Sequence, residues 1–200
     1  MKSENIVAYF NEQAVEYHRK STSWPWAWLR HRESRAVEKM MGDVSGCMIL
    51  DLGCGAGFYT RFFLRRSAAG VFAVDCCGSM LKQLPDSRVS PVLAEAGKIC
   101  LNEKFSRIIC AGLLEFVDDP VFVLRNAFHL AAMQTKMVLL VPVNNLIGRG
   151  YQLFHRRHEI NIRLFDNCEL VQIAETAGWK VIEYCIVFPF SLIISLKNCD

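Results

Sequence analysis

Two carboxylates, Asp51 and Asp75, lie 24 residues apart, and a glycine-rich loop directly follows the first. The loop contains Gly53, Gly55 and Gly57, and a glycine lets a ligand approach the backbone because it has no Cβ. A buried carboxylate just before such a loop would repel a pyrophosphate, but it suits a ligand that carries a cationic group. The second carboxylate, Asp75, stands at the position where a carboxylate in an α/β fold accepts hydrogen bonds from ribose hydroxyls. The pattern predicts a site for a nucleoside-type ligand with positive charge.

The elements that position these residues can be read from the apolar runs. The run Met48 to Leu50 ends at Asp51 and predicts a buried strand, and residues 58–64 predict a helix packed on it. A second run, residues 71–74, predicts the strand that ends at Asp75. The dinucleotide fingerprint Gly-x-Gly-x-x-Gly is not matched, because Phe58 occupies the place of its third glycine. The chain therefore carries a strand–loop–helix ligand site of another kind.

Five landmarks in this order resemble the class I S-adenosylmethionine (SAM) dependent methyltransferases, and the resemblance covers most of the chain. They are the glycine loop, Asp75, the residues Ala94-Glu95-Ala96, the apolar run 105–112, and Val117-Asp118-Asp119-Pro120. The resemblance implies an α/β fold of the Rossmann-like, doubly wound type. Its sheet would have seven mostly parallel strands, with helices on both faces and the last strand antiparallel. It also implies SAM as the cofactor.

The resemblance carries cofactor-binding roles onto particular positions. Glu95 stands where the family usually has an aspartate that receives the adenine amino group. Phe10, Ala14 and Tyr17 are spaced as in the first helix of quinone-biosynthesis methyltransferases, where the tyrosine lies beside the cofactor's amino-acid end. Tyr17 could equally well only pack that helix on the domain. The candidate cofactor residues are Tyr17, Asp51, Gly53, Cys54, Gly55, Gly57, Asp75, Cys76, Met80, Glu95, Ala96, Ala111 and Leu113.

Residues 1–46 are predicted to form a helical arm or lid, and residues 47–200 the methyltransferase core of a single domain. Trp24, Trp26 and Trp28 surround a proline within the arm. Tryptophan combines a large apolar area with one polar group, so the three could cover a flat acceptor substrate or anchor the arm to the core. The helix expected over residues 29–41 would direct Leu29, Ala36, Val37 and Met40 inward and Arg30, Arg32 and Arg35 outward.

Candidate catalytic residues are few. Glu115-Phe116-Val117 resembles the Glu-His-Val of quinone-type methyltransferases, but Phe116 replaces the histidine that could have served as a base. His155 and His158, in a segment after the fifth predicted strand, are the alternative general bases. The neighbouring Arg156 could bind an acidic group of the substrate. The competing interpretation of this cluster is a solvated basic helix face.

Methyl transfer to a small molecule is the function that the resemblance implies. The tryptophans favour an aromatic metabolite methylated at a hydroxyl oxygen, and carbon methylation of a quinone-like intermediate is the alternative. A protein that binds SAM without transferring methyl, as an accessory subunit or in another reaction, is a third hypothesis. Nucleic acid is disfavoured as a substrate because the Asn/Asp-Pro-Pro-Tyr/Phe signature of amino-group methylators is absent at residues 111–114.

Composition limits the remaining possibilities. Two hundred residues with 52% hydrophobic content predict one domain with a sizeable core. A net charge of +3 is too slight to indicate nucleic acid or an anionic membrane as a partner. Nine cysteines without a Cys-x-x-Cys pair indicate neither a disulfide scaffold nor a metal site, and they favour a reducing cytoplasm. The oligomeric state cannot be read from the sequence.

Overall fold

The computed structural model describes residues 7–11, 23–24, 26–84 and 86–198. The strands of this part are β1 (Met48–Leu52), β2 (Gly70–Asp75), β3 (Val89–Leu93), β4 (Phe105–Ala111), β5 (Ala131–Pro142), β6 (Lys180–Val187) and β7 (Ser191–Lys197). The helices are α1 (Trp26–Met41), α2 (Phe58–Leu64), α3 (Gly78–Leu81), α4 (Pro120–His129), α5 (Leu146–Arg156) and α6 (Asn167–Thr176). Residues 7–11 are also helical, and Leu114–Phe116 form one turn of 3-10 helix.

The strands form a single sheet in the order β3-β2-β1-β4-β5-β7-β6. Strands β1 to β5 pair in parallel, whereas β7 runs antiparallel to both of its neighbours, β5 and β6. The predicted Rossmann-like fold, with its seven strands and antiparallel last strand, is confirmed. The strand order reverses direction at β1 and β4, so the carboxyl ends of these strands border a crevice of the kind that binds ligands.

Both faces of the sheet are covered, because successive side chains of a strand point to opposite sides. Leu50 and Leu52 of β1 belong to a buried cluster that includes residues of α4 and α6. Ile49, between them, belongs to a second cluster with residues of α1 and α2. The continuous apolar runs of the parallel strands therefore reflect burial on two sides.

Helix α1 differs from its prediction at Arg30. Arg32 and Arg35 are exposed as expected, but Arg30 is only partly exposed and lines a cleft beyond the end of β1. Its Nη1 lies 3.2 Å from Oε2 of the buried Glu33. The outward prediction for Arg30 is wrong because positions 30, 33 and 37 share one face of the helix, and that face packs against the domain.

Three properties of the described residues bear on chemistry and location. None of their helices is both long and apolar enough to cross a membrane. The cysteines among them are free thiols. Their histidine, cysteine and carboxylate side chains form no cluster of three that could hold a metal ion. The cytoplasmic location and the boundary between residues 46 and 47 stay predictions.

Candidate cofactor and acceptor site

The glycine loop follows β1 and turns back beneath the end of β2. The amides of Gly53 and Cys54 both donate to the carbonyl of Val74, at 2.9 and 3.0 Å. Gly53 has φ +70°, and a Cβ there would lie 2.8 Å from the Cβ of Leu113. Gly57 begins helix α2 with φ +80°. Both positions require the left-handed conformation that glycine adopts without steric cost, and a Cβ would also meet the side chain of Leu113 at Gly53 and that of Leu84 at Gly57.

Asp75 connects the ends of two loops. Its Oδ2 accepts a hydrogen bond from the amide of Gly55, and its Oδ1 accepts one from the amide of Cys77, both at 2.8 Å. Burial raises the pKa of this carboxyl, and the backbone donors partly oppose that shift. Each oxygen can still accept a further bond, since a carboxylate offers about four acceptor sites. Asp75 therefore holds the loop in place while presenting acceptor capacity to the cleft.

Asp51 lies at the bottom of the cleft, with only 2% of its surface exposed. Its Oδ2 accepts a hydrogen bond of 2.6 Å from the hydroxyl of Thr60, on helix α2. Burial raises the pKa of Asp51 to about 7, an effect that Thr60 reduces and the charge of Asp75 increases. A cationic ligand placed beside Asp51 would stabilise the ionised form and lower this pKa.

Two adjoining clefts open beyond the carboxyl ends of β1, β2 and β4. The smaller has a volume of about 100 Å³ and the larger about 850 Å³. Gly53, Asp75, Cys76, Leu113 and Phe116 line both. Of the predicted cofactor residues, the smaller cleft also contains Asp51, Cys54, Gly55, Met80 and Ala111, and the larger contains Glu95 and Ala96. The fold thus brings most of these residues together. Gly57 lies in the loop without lining either cleft, and Tyr17 lies outside the described residues.

A cluster of aromatic rings adjoins the smaller cleft. Phe116 lines the cleft, and its ring centroid lies 5.3 Å from Phe10 and 5.8 Å from His155. His155 in turn lies 4.5 Å from Tyr151, which stacks on Phe190 at 5.0 Å. The rings form a continuous series from the cleft towards the surface at helix α5.

The other predicted substrate and catalytic residues lie at the edge of this cluster or on the surface. Trp26 packs against Tyr151 and Phe190, at 6.4 Å from each ring. Trp24, Trp28, His158 and Arg156 are exposed, and none of these residues lines a cleft. His155 is buried, and burial lowers its pKa to about 4. Its imidazole is therefore neutral near pH 7, and its Nδ1 has no partner among the described residues.

Sequence reasoning missed several residues of the cleft. Arg30, Phe58 and Tyr59 line it, and Thr60 hydrogen-bonds Asp51. The helical spacing could have identified Arg30, because it stands three residues before the buried Glu33 and therefore lies on the same side of the helix. Glu115 is buried behind the cleft with Oε2 unpartnered among the described residues, and burial raises its pKa to about 8. No local sequence pattern distinguishes a buried glutamate of this kind from one that caps a helix.

Comparison with protein families gives one match that spans most of the chain. A family model described as a methyltransferase domain matches residues 25–184. An uncharacterized protein of Haemophilus influenzae is 23% identical over 159 residues, which are 79% of this chain and 61% of that protein. The chain thus matches less than two thirds of the length of this relative.

Solved structures with low sequence identity share the fold. The magnesium protoporphyrin IX methyltransferase of Synechocystis PCC 6803, with bound SAH, has a TM-score of 0.76 and 14% identity, over 100% of both chains. The 1,6-didemethyltoxoflavin-N1-methyltransferase of Burkholderia thailandensis has a TM-score of 0.77 and 17% identity. That match covers 99% of this chain and 89% of the other.

Proposed function

This chain belongs to the methyltransferase-domain family, whose cofactor is SAM, and we propose that it methylates a hydroxyl oxygen of a small aromatic acceptor. The observation that carries the proposal is the continuity between the carboxylate-bearing glycine loop and the aromatic cluster at Phe116. The first suits a charged nucleoside cofactor, and the second suits a flat apolar ring. One protein surface thus combines both requirements of the reaction.

The residues of the two clefts fit SAM by their chemistry. Asp75 would accept hydrogen bonds from ribose hydroxyls, and the larger cleft, with Leu93, Phe122 and Val123 in its walls, suits adenine. In the smaller cleft Asp51 would face the cationic groups, and Arg30 would pair with the carboxylate of the amino-acid end. The cofactor's two ends would then lie in the two clefts, with its methyl group near Leu113 and Phe116, which border both.

When bound, SAM supplies an electrophilic methyl group on a sulfonium. In the product the acceptor oxygen would carry the methyl group, the sulfur would keep the electron pair of its former bond to that carbon, and the hydroxyl proton would pass to solvent. The chain's contribution is to hold the two reactants in line, and orientation of this kind can supply much of a rate enhancement. The aromatic rings exclude water from the place where the acceptor would lie.

His155 would position the acceptor. Because burial lowers its pKa to about 4, the ring is a weak proton acceptor at neutral pH, and the unpartnered Nδ1 would accept a hydrogen bond in the tautomer that carries its proton on Nε2. His155 lines neither cleft but lies next to the cleft residue Phe116, so a hydrogen bond from the acceptor hydroxyl would form only once the Phe116 ring moves aside. The lowered pKa of His155 argues against the predicted role of general base for it, and the exposure of His158 outside both clefts argues against that role for His158.

We expect His155→Phe to lower kcat/KM for the acceptor about 2- to 15-fold, the effect of losing one hydrogen bond. His158→Phe, on the exposed side of the same segment, is the matched control and should leave kcat/KM unchanged. Steady-state kinetics from about pH 6 to about pH 8 should give the same pH profile for the wild type and for His155→Phe. A lost pH dependence in the variant would instead establish His155 as a base.

The test of the proposed function is calorimetric titration with SAM and with S-adenosylhomocysteine, followed by a methyl-transfer screen over phenols and quinols with labelled SAM. Micromolar binding and a methyl ether product would support the proposal. A carbon-methylated product would favour the alternative reaction. Binding without transfer to any acceptor would favour the accessory role, for which the absence of a histidine at Phe116 is the motivating observation.

The raised pKa of Asp51 gives a prediction for cofactor binding. If bound SAM requires the ionised carboxylate, protonation of Asp51 competes with binding below its pKa of about 7. Affinity should therefore fall roughly tenfold or more between about pH 7.5 and about pH 5.5, a range in which an α-amino group stays mostly charged. Calorimetry at several pH values measures this. Asp51→Asn should bind SAM weakly and without that pH dependence. An equal pH dependence in the variant and the wild type would mean that Asp51 does not contact the bound SAM.

A further inference from the structure

Helix α5 exposes a row of apolar side chains. Leu146 is 86% exposed, and Leu153 and Phe154 are 55% and 52% exposed. These positions, with the partly exposed Ile147, recur at the spacing that places residues on one side of a helix. The opposite side of the helix contains the buried Gly148 and His155. We call the exposed side chains Leu146, Ile147, Leu153 and Phe154, together with Arg149, Arg156 and Arg157, the α5 face.

The α5 face and the residues beside it carry an excess of positive charge. Residues 144–163 contain four arginines and one glutamate, a balance that equals the +3 of all 200 residues. Within the described part of the chain, Arg149, Arg156 and Arg157 form no ion pair, whereas Arg163 pairs with Glu169. The carboxylate of this segment, Glu159, comes after the end of the helix. The face therefore combines exposed apolar groups with uncompensated positive charge.

Neighbouring elements extend this surface. The side chain of Asn145 donates to the carbonyl of Pro189 at 2.9 Å, which holds the start of α5 beside the turn between β6 and β7. Phe188 of that turn is 60% exposed, and Ile186 and Tyr184 precede it at every second position with similar exposure. Trp26, at the beginning of α1, packs on Tyr151 of α5. The exposed surface thus continues onto the aromatic cluster that leads to the cleft.

The charges of the α5 face distinguish between the kinds of partner that could cover it. A two-fold contact of the α5 face with a second copy would bring its arginines close to their own copies, which costs free energy. A nucleic acid would satisfy the arginines but would leave the leucines and isoleucine unburied. An anionic bilayer complements both, since its phosphates attract arginine while its acyl boundary takes up Leu, Ile, Phe and Trp side chains.

We propose that the α5 face docks this protein on anionic lipid membranes. The slight net charge of the whole chain argued against such a partner, but the fold concentrates that charge on one apolar helix face. The docking itself does not depend on the proposed methyl acceptor, and it can be measured without SAM.

The experiment is co-sedimentation of the full chain with two kinds of vesicle, phosphatidylcholine alone and an equal mixture with phosphatidylglycerol. We expect binding to the mixed vesicles that weakens as salt is raised, and little binding to phosphatidylcholine. Arg156→Glu with Arg157→Glu should weaken binding about 30-fold or more, because each arginine near an anionic surface contributes about fivefold. Leu146→Ser should weaken it roughly tenfold or more, through the lost burial of one leucine.

Matched controls lie at the amino-terminal part of β5, where Met133 and Lys136 are exposed. Met133→Ser and Lys136→Glu should leave vesicle binding unchanged, and light scattering gives the mass of each protein in solution. Equal binding by the α5 variants and these controls would overturn the proposal. Absence of vesicle binding would also overturn the proposal. If light scattering then showed a stable dimer that Leu146→Ser dissociates, the α5 face would be assigned to contact with a second copy of the chain.

Discussion

Asp75→Ala should weaken SAM binding about 100-fold. The carboxylate accepts the amides of Gly55 and Cys77, and we propose that it also accepts ribose hydroxyls. Hydrogen bonds to a charged group contribute about 1.5–3 kcal/mol each, so the loss of two bonds from the ribose alone accounts for about 3 kcal/mol. The expected loss in binding free energy is therefore about 3 kcal/mol, larger than for a residue that only touches the ligand.

Asp118→Ala is the matched control for this experiment. Asp118 also lines the larger cleft, but it holds neither loop, so its removal should change affinity less than about threefold. Calorimetry with SAM measures both variants, and a thermal melt establishes that each is folded. If folded Asp75→Ala bound SAM as tightly as the wild type, both the ribose assignment and the proposed placement of SAM would be wrong.

Glu115→Gln should make the protein less sensitive to alkaline pH. Burial raises the pKa of Glu115 from 4.5 to about 8, so the folded protein keeps a proton that the unfolded chain has released. The free energy of unfolding therefore falls as pH rises towards the folded-state pKa. Between about pH 6 and about pH 8, the titration of Glu115 alone should lower the free energy of unfolding by about 2 kcal/mol, since one pH unit corresponds to about 1.4 kcal/mol.

The glutamine variant lacks this titration while keeping nearly the same shape. Its melting temperature should fall about 4–8 °C less than that of the wild type over the same pH range, because 1 kcal/mol corresponds to about 2–4 °C in a chain of this length. Asp51 and His155 titrate in both proteins, so their effects cancel in the comparison. Glu103→Gln, at an exposed position, should behave like the wild type. Identical pH profiles for all three would mean that Glu115 is ionised in the folded protein.

The sequence was sufficient to predict the glycine loop and the carboxylates at the ends of β1 and β2, and its resemblance to a known family predicted the seven-stranded sheet with its antiparallel last strand. These features depend on residues that are close together in the chain. A strand that ends in a turn at Gly53 is encoded by its own apolar run and by a residue that tolerates φ +70°. The order of successive runs then selects a known arrangement, because a parallel sheet with crossover helices permits few connections.

The aromatic cluster beside the smaller cleft could be predicted only in part. Phe10, Phe116, His155 and Phe190 are far apart in sequence and meet only because α5 and the turn before β7 close over the end of β4. The three tryptophans, which were the most conspicuous aromatic residues in the sequence, line neither cleft. Sequence spacing identified helices but not which distant helix each face would contact.

The sequence by itself thus determined the glycine loop and the strands and helix beside it, since these follow from local patterns of apolar residues, glycines and carboxylates, and the order of its motifs indicated the fold through a family resemblance. Only the tertiary structure decided that Arg30 faces the cleft, that His155 and Glu115 are buried with shifted pKa values, and that Arg156 stays in solvent. The physical reason is that burial and electrostatic environment depend on segments that pack together from distant parts of the chain. A side chain's charge state is therefore set by neighbours that its own stretch of sequence does not contain.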